Sequence, residues 1–212
     1  MLTRIRTAVS SGTPAEAPRP IPRAYHHSGS LLPGSQLVIE LLTDRLVDYK
    51  AEVHHCSAAN LTDRIAEILA GTSSIVVPSQ LPPEVTNGCR QSGAIVTTDR
   101  DPHPLEPGEL DNIEVVVTGA RIAIAVTGTI ILDAANDQGR RAISLVPDRH
   151  LIVIRSEQVV ETVPEALTYL NPTAPLTMIS GPSATSDIEL ERVEGVHGPR
   201  TLQVLIVRND ET

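Results

Sequence analysis

Short apolar runs separated by stretches of helical spacing leave this chain few architectures. Residues 74–77, 94–97, 150–154, 176–180 and 202–207 are too short for helices and rich in Ile, Val and Leu. They read as strands, all but 150–154 as buried ones. Residues 51–55, 122–125 and 129–132 add further strands, while 115–117 fits strand or helix. Ser35 is a good N-cap for a helix through Asp48, with Leu37, Val38, Leu41, Leu42 and Leu46 on its inner face. Asn60 caps a second helix over 61–69, closed by Gly71, and Thr162 with Glu165 forms a capping box opening a third that runs to Leu170. Strand, helix and strand in alternation predict βαβ units and a mostly parallel sheet. A chain of 212 residues suits one such α/β domain, placed at 35–212. Residues 1–34 form a short N-terminal helix followed by a strap rich in Pro, Ala and Ser.

The segment 179–199 concentrates the chemistry. It sets small hydroxyls, carboxylates, His197 and several glycines between two apolar runs, at a strand end where α/β proteins place ligands. Three readings stand side by side. Ser186, Asp187 and Glu189 cap a short helix; Gly181, Ser183, Ala184 and Thr185 offer a nest of donors to an anion; or Ser183, Asp187 and His197 form a hydrolase triad. The triad lacks the Gly-x-Ser-x-Gly turn that exposes such a serine. Glycines on both sides of His197 let the backbone turn sharply and aim its ring into a cleft, which makes it the one weak catalytic candidate. Thr127-Gly128-Thr129 is a second turn of the same kind, and Arg140-Arg141 follow at a distance a loop can close. An anion site therefore falls where the two turns meet, with Gly128, Thr129, Gly181, Ser183 and Thr185 as donors and Arg140 or Arg141 supplying charge. The competing reading pairs both arginines with acidic neighbours such as Asp133 or Asp137.

Charge and composition exclude other classes. The net charge is −9 with no basic stripe, so phosphate neutralisation along a nucleic acid is not supported. Lys50 is the only lysine and no Gly-x-x-x-x-Gly-Lys precedes it, which removes a phosphate-binding loop. Cys56 and Cys89 make no Cys-x-x-Cys, so the chain holds neither an iron–sulfur cluster nor a structural zinc by itself. His54 and Cys56 share one side of a strand and His26-His27 lie in the strap. Each lacks further ligands nearby and reads as packing or solvated loop. No apolar run reaches the roughly 20 residues a bilayer span needs. With no signal-peptide pattern, the thiols are expected to be reduced in the cytoplasm.

Five motifs then fall in order: Ala-Ile-Ala-Val-Thr-Gly-Thr-Ile-Ile-Leu ending at Leu132, Gln138-Gly139-Arg140-Arg141-Ala142, Val146-Pro147-Asp148, Ser180-Gly181-Pro182-Ser183 running on to Glu189, and Gly195-Val196-His197-Gly198-Pro199. Together they resemble the LUD (lactate-utilisation) domain family. The resemblance implies a three-layer α/β/α sandwich similar to sugar-phosphate isomerases and CoA-transferases. It also implies an accessory, non-redox role in bacterial oxidation of L-lactate to pyruvate, beside partner proteins that carry iron–sulfur clusters. A stand-alone isomerase or acyl/CoA-transferase and a purely structural adaptor remain alternatives. Val126 stands where the family pattern often has an acidic residue, which weakens CoA chemistry. A small carboxylate or phosphate is the ligand such a site would take.

The chain is expected to purify without stoichiometric iron, zinc, flavin or nicotinamide, since it has neither the Cys motifs nor a Gly-x-Gly-x-x-Gly. Metal analysis and an absorbance spectrum check this; one zinc or iron per chain would overturn it.

Overall fold

The computed structural model describes residues 2–10, 21–24, 27–100, 102–185, 193–194 and 198–209. Its centre is a six-stranded sheet of β1 (Glu52–Ser57), β2 (Ser74–Pro78), β3 (Ile95–Asp99), β4 (Val115–Thr118), β7 (Arg149–Arg155) and β12 (Thr201–Arg208). Every pairing in it is parallel, in the order β1-β12-β7-β4-β2-β3. The inner strands β4, β7 and β12 are buried almost throughout, whereas the edge strands β1 and β3 are half-exposed. This explains why the inner strands read as unbroken apolar runs and the edges carry His, Thr and Asp.

Alternation of side chains sorts the core into two faces. Leu151, Val153, Leu205 and Val207 meet α3 (Leu61–Ile68) and α4 (Pro83–Gln91) through Leu61, Ile65, Val85 and Cys89. Ile152, Ile154, Val204 and Ile206 point the other way, onto α2 (Gln36–Asp48) and a second sheet. That sheet contains β5 (Ile122–Ile124), β6 (Thr129–Leu132), β8 (Val159–Val160) and β9 (Thr177–Ile179), in the order β8-β5-β6-β9. Its inner residues Ala123, Ile130, Leu132 and Val159 join the core, and Ile122, Ile124 and Ile131 face Ala166 of α6 (Val163–Leu167). The small α5 (Pro107–Leu110) covers the same side near β2 and β4 through Leu110. α1 (Leu2–Ser10), a two-residue ribbon of β10 (Ala184–Thr185) and β11 (Val193–Glu194), and 3₁₀ turns at Ala58–Asn60 and Ser156–Gln158 complete the described elements. The result is the expected three-layer α/β arrangement, with the small sheet sharing one outer layer.

Several expectations need correcting. Residues 176–180 do not join the parallel sheet: β9 edges the small sheet, and Met178 is 58% exposed, so this is no buried strand. An isolated apolar run cannot reveal which sheet will accept it. On α2, Leu37 is 61% exposed and Ile39 takes the buried place instead. Ser35 occupies the N-cap position without a side-chain bond, and so does Asn60. The Thr162–Glu165 capping box does not form, since Thr162 Oγ1 and Glu165 Oε2 are both buried without partners. The sequence reading also passed over α4, whose Thr86, Asn87 and Gly88 are weak helix formers.

Gly88 shows why tertiary packing outweighs that weakness. A Cβ there would lie 2.7 Å from both the Thr62 carbonyl oxygen and Ile65 Cβ, so the missing side chain lets α4 lie close on α3. Gly88→Ala is therefore expected to destabilise the protein by about 1–2 kcal/mol, overpacking outweighing the gain in helix propensity. A urea titration checks the sign; a stabilised variant would show that the helices separate freely.

Candidate functional site

The antiparallel seam between β6 and β9 pairs Ile130 with Ile179, which brings the end of the Thr127-Gly128-Thr129 turn beside Ser180. Thr127 Oγ1 donates to Thr129 Oγ1 at 2.8 Å, and Thr129 Oγ1 and Ser180 Oγ share a bond of 2.8 Å. The two turns singled out in the sequence thus meet through a chain of three hydroxyls. Gly181 then turns the backbone away at φ +88°, a left-handed conformation that suits glycine; a Cβ there would lie 2.7 Å from the Tyr49 carbonyl oxygen. Ser183 N–H donates to the Pro199 carbonyl at 2.8 Å, tying this loop to the chain that enters β12.

Below the loop lies a cavity of about 220 Å³. Its polar walls come from Arg141, Ser144, His150, Ser180 and Ser183, and its apolar walls include Leu145, Ile179, Pro199 and Leu202. His150 and Leu202 are paired second residues of β7 and β12, so the cavity opens at the leading ends of these strands. The expectation of a site beyond the carboxyl ends of parallel strands is corrected accordingly. β9 pairs antiparallel with β6 in the mixed small sheet, and its end projects under the start of the central strands.

The placements of the predicted residues divide. Gly181, Ser183 and Arg141 line the cavity, and Thr129 supports Ser180 from behind. Gly128 is set against Arg45 and Tyr49, and its N–H donates to the Ala125 carbonyl at 3.2 Å, so it contributes no donor to the cavity. Arg140 goes elsewhere. Its Nε and Nη2 hold Asp99 at 2.8 and 2.9 Å, and Nη2 also donates to the Leu105 carbonyl. Burial alone would raise the Asp99 pKa, but the Arg140 fork and the Leu105 N–H outweigh it and hold the carboxyl below its usual value. This is a tie across the carboxyl end of β3, and it removes Arg140 as the free cation. Arg141 is exposed and has no ion-pair partner among the described residues. The Thr185 backbone lies in β10. Ser186, Asp187, Glu189 and His197 lie outside the described residues, so neither their capping nor the triad is placed.

Sequence reasoning missed His150. It is fully buried in the sheet, and its Nε2 shares a 2.8 Å hydrogen bond with Thr118 Oγ1, a diagonal neighbour on β4. Its Nδ1 is buried with no partner. Burial lowers its pKa from 6.5 to about 3, so the ring is neutral at physiological pH. The one available signal was a histidine adjoining an otherwise apolar buried run. His54 stands beside Arg64 Nη2 at 3.3 Å, and burial and that cation lower its pKa. Burial pushes the Cys56 thiol up and the Cys89 thiol to about 12, so neither is an activated nucleophile. Among the described residues no three His, Cys, Asp or Glu side chains gather as a metal site requires.

A second cleft, of about 310 Å³, lies at the carboxyl ends of β4 and β7, with Asp137, Arg155 and Gln158 among the apolar side chains of Leu61, Leu81 and Val85. Asp137 is half-buried, and burial, with the nearby Asp133 charge, raises its pKa.

A parallel sheet between a helical layer and a mixed layer, with a small hydroxyl-lined cavity beneath it, defines an α/β protein. Comparison with known proteins gives the family. The LUD domain model matches residues 108–207. A Deinococcus radiodurans protein named Lactate utilization protein C is 43% identical over 98% of this chain and 93% of its own length. The crystal structure of a DUF162 family protein from the same organism superposes with a TM-score of 0.68 at 39% identity, covering 81% of this chain and 96% of that one. The Geobacillus sp. Lactate utilization protein C is 29% identical over 46% of this chain and 43% of its own. The chain belongs to the LUD domain family.

Acidification should expose the buried histidine. Between pH 6.5 and about 3 the unfolded chain binds a proton at residue 150 that the folded chain refuses. The neutral ring's stability is therefore intact above pH 6.5 and lost as pH falls through this window. His150→Asn is expected to flatten that slope in urea midpoints measured against pH; an unchanged slope would mean the ring is protonated when folded.

Proposed function

We propose that this chain is an accessory, non-redox component of a bacterial L-lactate utilisation system, acting in the cytoplasm beside iron–sulfur proteins that oxidise L-lactate to pyruvate. The observation that carries this is the 43% identity, over nearly the whole of both chains, to a protein named Lactate utilization protein C. The cysteine chemistry is in keeping with it: two thiols, both raised in pKa by burial and with no Cys-x-x-Cys, are poor cluster ligands. The hydroxyl-lined cavity with Arg141 at its wall supplies a place for a small carboxylate or phosphate. No helix among the described residues is long and apolar enough to cross a membrane.

One observation favours a second reading, an isomerase or acyl/CoA-transferase-type enzyme on a related fold. Asp137 combines partial burial and a raised pKa with a cleft at the carboxyl edge of the sheet, where parallel α/β enzymes place their chemistry. Val126 does not add to it, being exposed on the β5–β6 turn.

Tagged protein recovered from the source bacterium grown on L-lactate is expected to carry partner proteins with iron–sulfur absorbance, and its deletion to slow growth on L-lactate alone. Recovery of the chain by itself, with growth unaffected, would overturn the accessory reading.

A further inference from the structure

The cleft beside Asp137 stands where the fold divides. β2 is followed by α4, which packs on one face of the central sheet, and β4 is followed by the small sheet, which covers the other. The two strands are neighbours, so their exits diverge and leave a crevice at their carboxyl ends. Parallel sheets bind ligands in such crevices. Leu81 and Pro82 line this one after β2, Gly119 and Ala120 after β4, and Val153 and Arg155 from β7.

The loop that carries Asp137 is tied down. Gly119 N–H donates to the Asp137 carbonyl at 2.9 Å, and Gln80 N–H to the Asn136 carbonyl at 3.2 Å. The buried Gln138 accepts the Asp133 N–H at 2.6 Å. A Cβ at residue 119 would collide with Asp137 Oδ2, so the glycine makes room for the carboxyl. The charges around that carboxyl do not balance. Arg155, the cation of the described lining, is held by Glu84 at 2.9 Å. Arg121 acts on Asp137 only from a distance, being engaged by Asp133 and the Tyr169 carbonyl. Asp137 has no ion pair among the described residues, and Glu157 in the same lining meets the neutral Ser156 hydroxyl and Asn209 amide.

We propose that this cleft binds a small organic amine, with its ammonium on Asp137 and its hydrocarbon part against Leu61, Leu81, Val85 and Val153. The site goes beyond the lactate-utilisation reading and does not depend on it. Size and polarity set the class. About 310 Å³ lies at the lower end of the roughly 300–1,000 Å³ of small-molecule sites, which suits a compact ligand. The apolar walls favour a hydrocarbon body. An anion inside would meet Asp137 and Glu157 with the lining's cation already neutralised. A neutral ligand would strip water from the Asp137 carboxylate and give no counter-charge in return. An ammonium supplies that charge together with a charge-assisted hydrogen bond, and so relieves the burial that raises the Asp137 pKa.

Calorimetric titration of the full-length chain at physiological ionic strength tests this with n-hexylamine, ethylamine, 1-hexanol and hexanoate. n-Hexylamine is expected to bind about tenfold or more tightly than 1-hexanol, which lacks the charge, and than ethylamine, which lacks the hydrocarbon body. Hexanoate should bind weakest of the three six-carbon probes. Asp137→Asn should erase the preference for n-hexylamine over 1-hexanol while retaining 1-hexanol binding. If that variant does not fold, the side-chain carboxyl carbon resonance of Asp137 in the wild-type chain gives a second readout: its titration should move to lower pH with n-hexylamine and stay in place with 1-hexanol. Tighter binding of 1-hexanol or hexanoate than of n-hexylamine, equal affinity for the two amines, a preference that survives Asp137→Asn, or no measurable binding of any probe overturns the proposal.

Discussion

Burial of both faces of β7 and β12 is the constraint on which the other elements depend. Parallel strands leave no polar face for solvent, so each needs an apolar layer above and below. Leu151, Val153, Leu205 and Val207 require α3 and α4; Ile152, Ile154, Val204 and Ile206 require α2 and the small sheet. The layer made by the small sheet does more than cover. Its last strand ends near the first residues of β7 and β12, and the loop that follows must return there to start β12. The cavity is the gap left by that return.

Within this frame a few polar contacts are placed at cost. His150 sits between β4 and β12 where an aliphatic residue would pack, and the Thr118 hydroxyl satisfies only one of its two nitrogens. An unsatisfied buried polar atom typically costs about 1–3 kcal/mol, which favours any ligand or water that reaches it. Retaining such a group inside an apolar sheet makes sense where it has a task beyond stability.

Arg140 and Arg141 show how far adjacent residues can diverge. One closes a bidentate pair with a carboxylate whose side chain is only 5% exposed, fixing the loop after β3. The other lines the cavity and has no ion-pair partner among the described residues. The split matters electrostatically, because a guanidinium held by a buried carboxylate presents no net charge to a ligand, whereas a lone one does.

Much was legible in the chain itself. Run length and residue type located five of the six strands of the central sheet and left 115–117 open between strand and helix, and the alternation of strands with helices predicted mostly parallel pairing. Two of the turns that meet at the cavity were also visible, as small hydroxyls and glycines at strand ends. The tertiary structure alone decided which sheet received β9, since a three-residue strand carries no record of its partner. It alone decided that Gly88 belongs to a helix, because close approach to α3 overrides local propensity. It also decided which arginine stayed free and that His150 is buried beside Thr118. Charges and buried polar atoms acquire their roles from neighbours distant in sequence, and no local pattern encodes those distances.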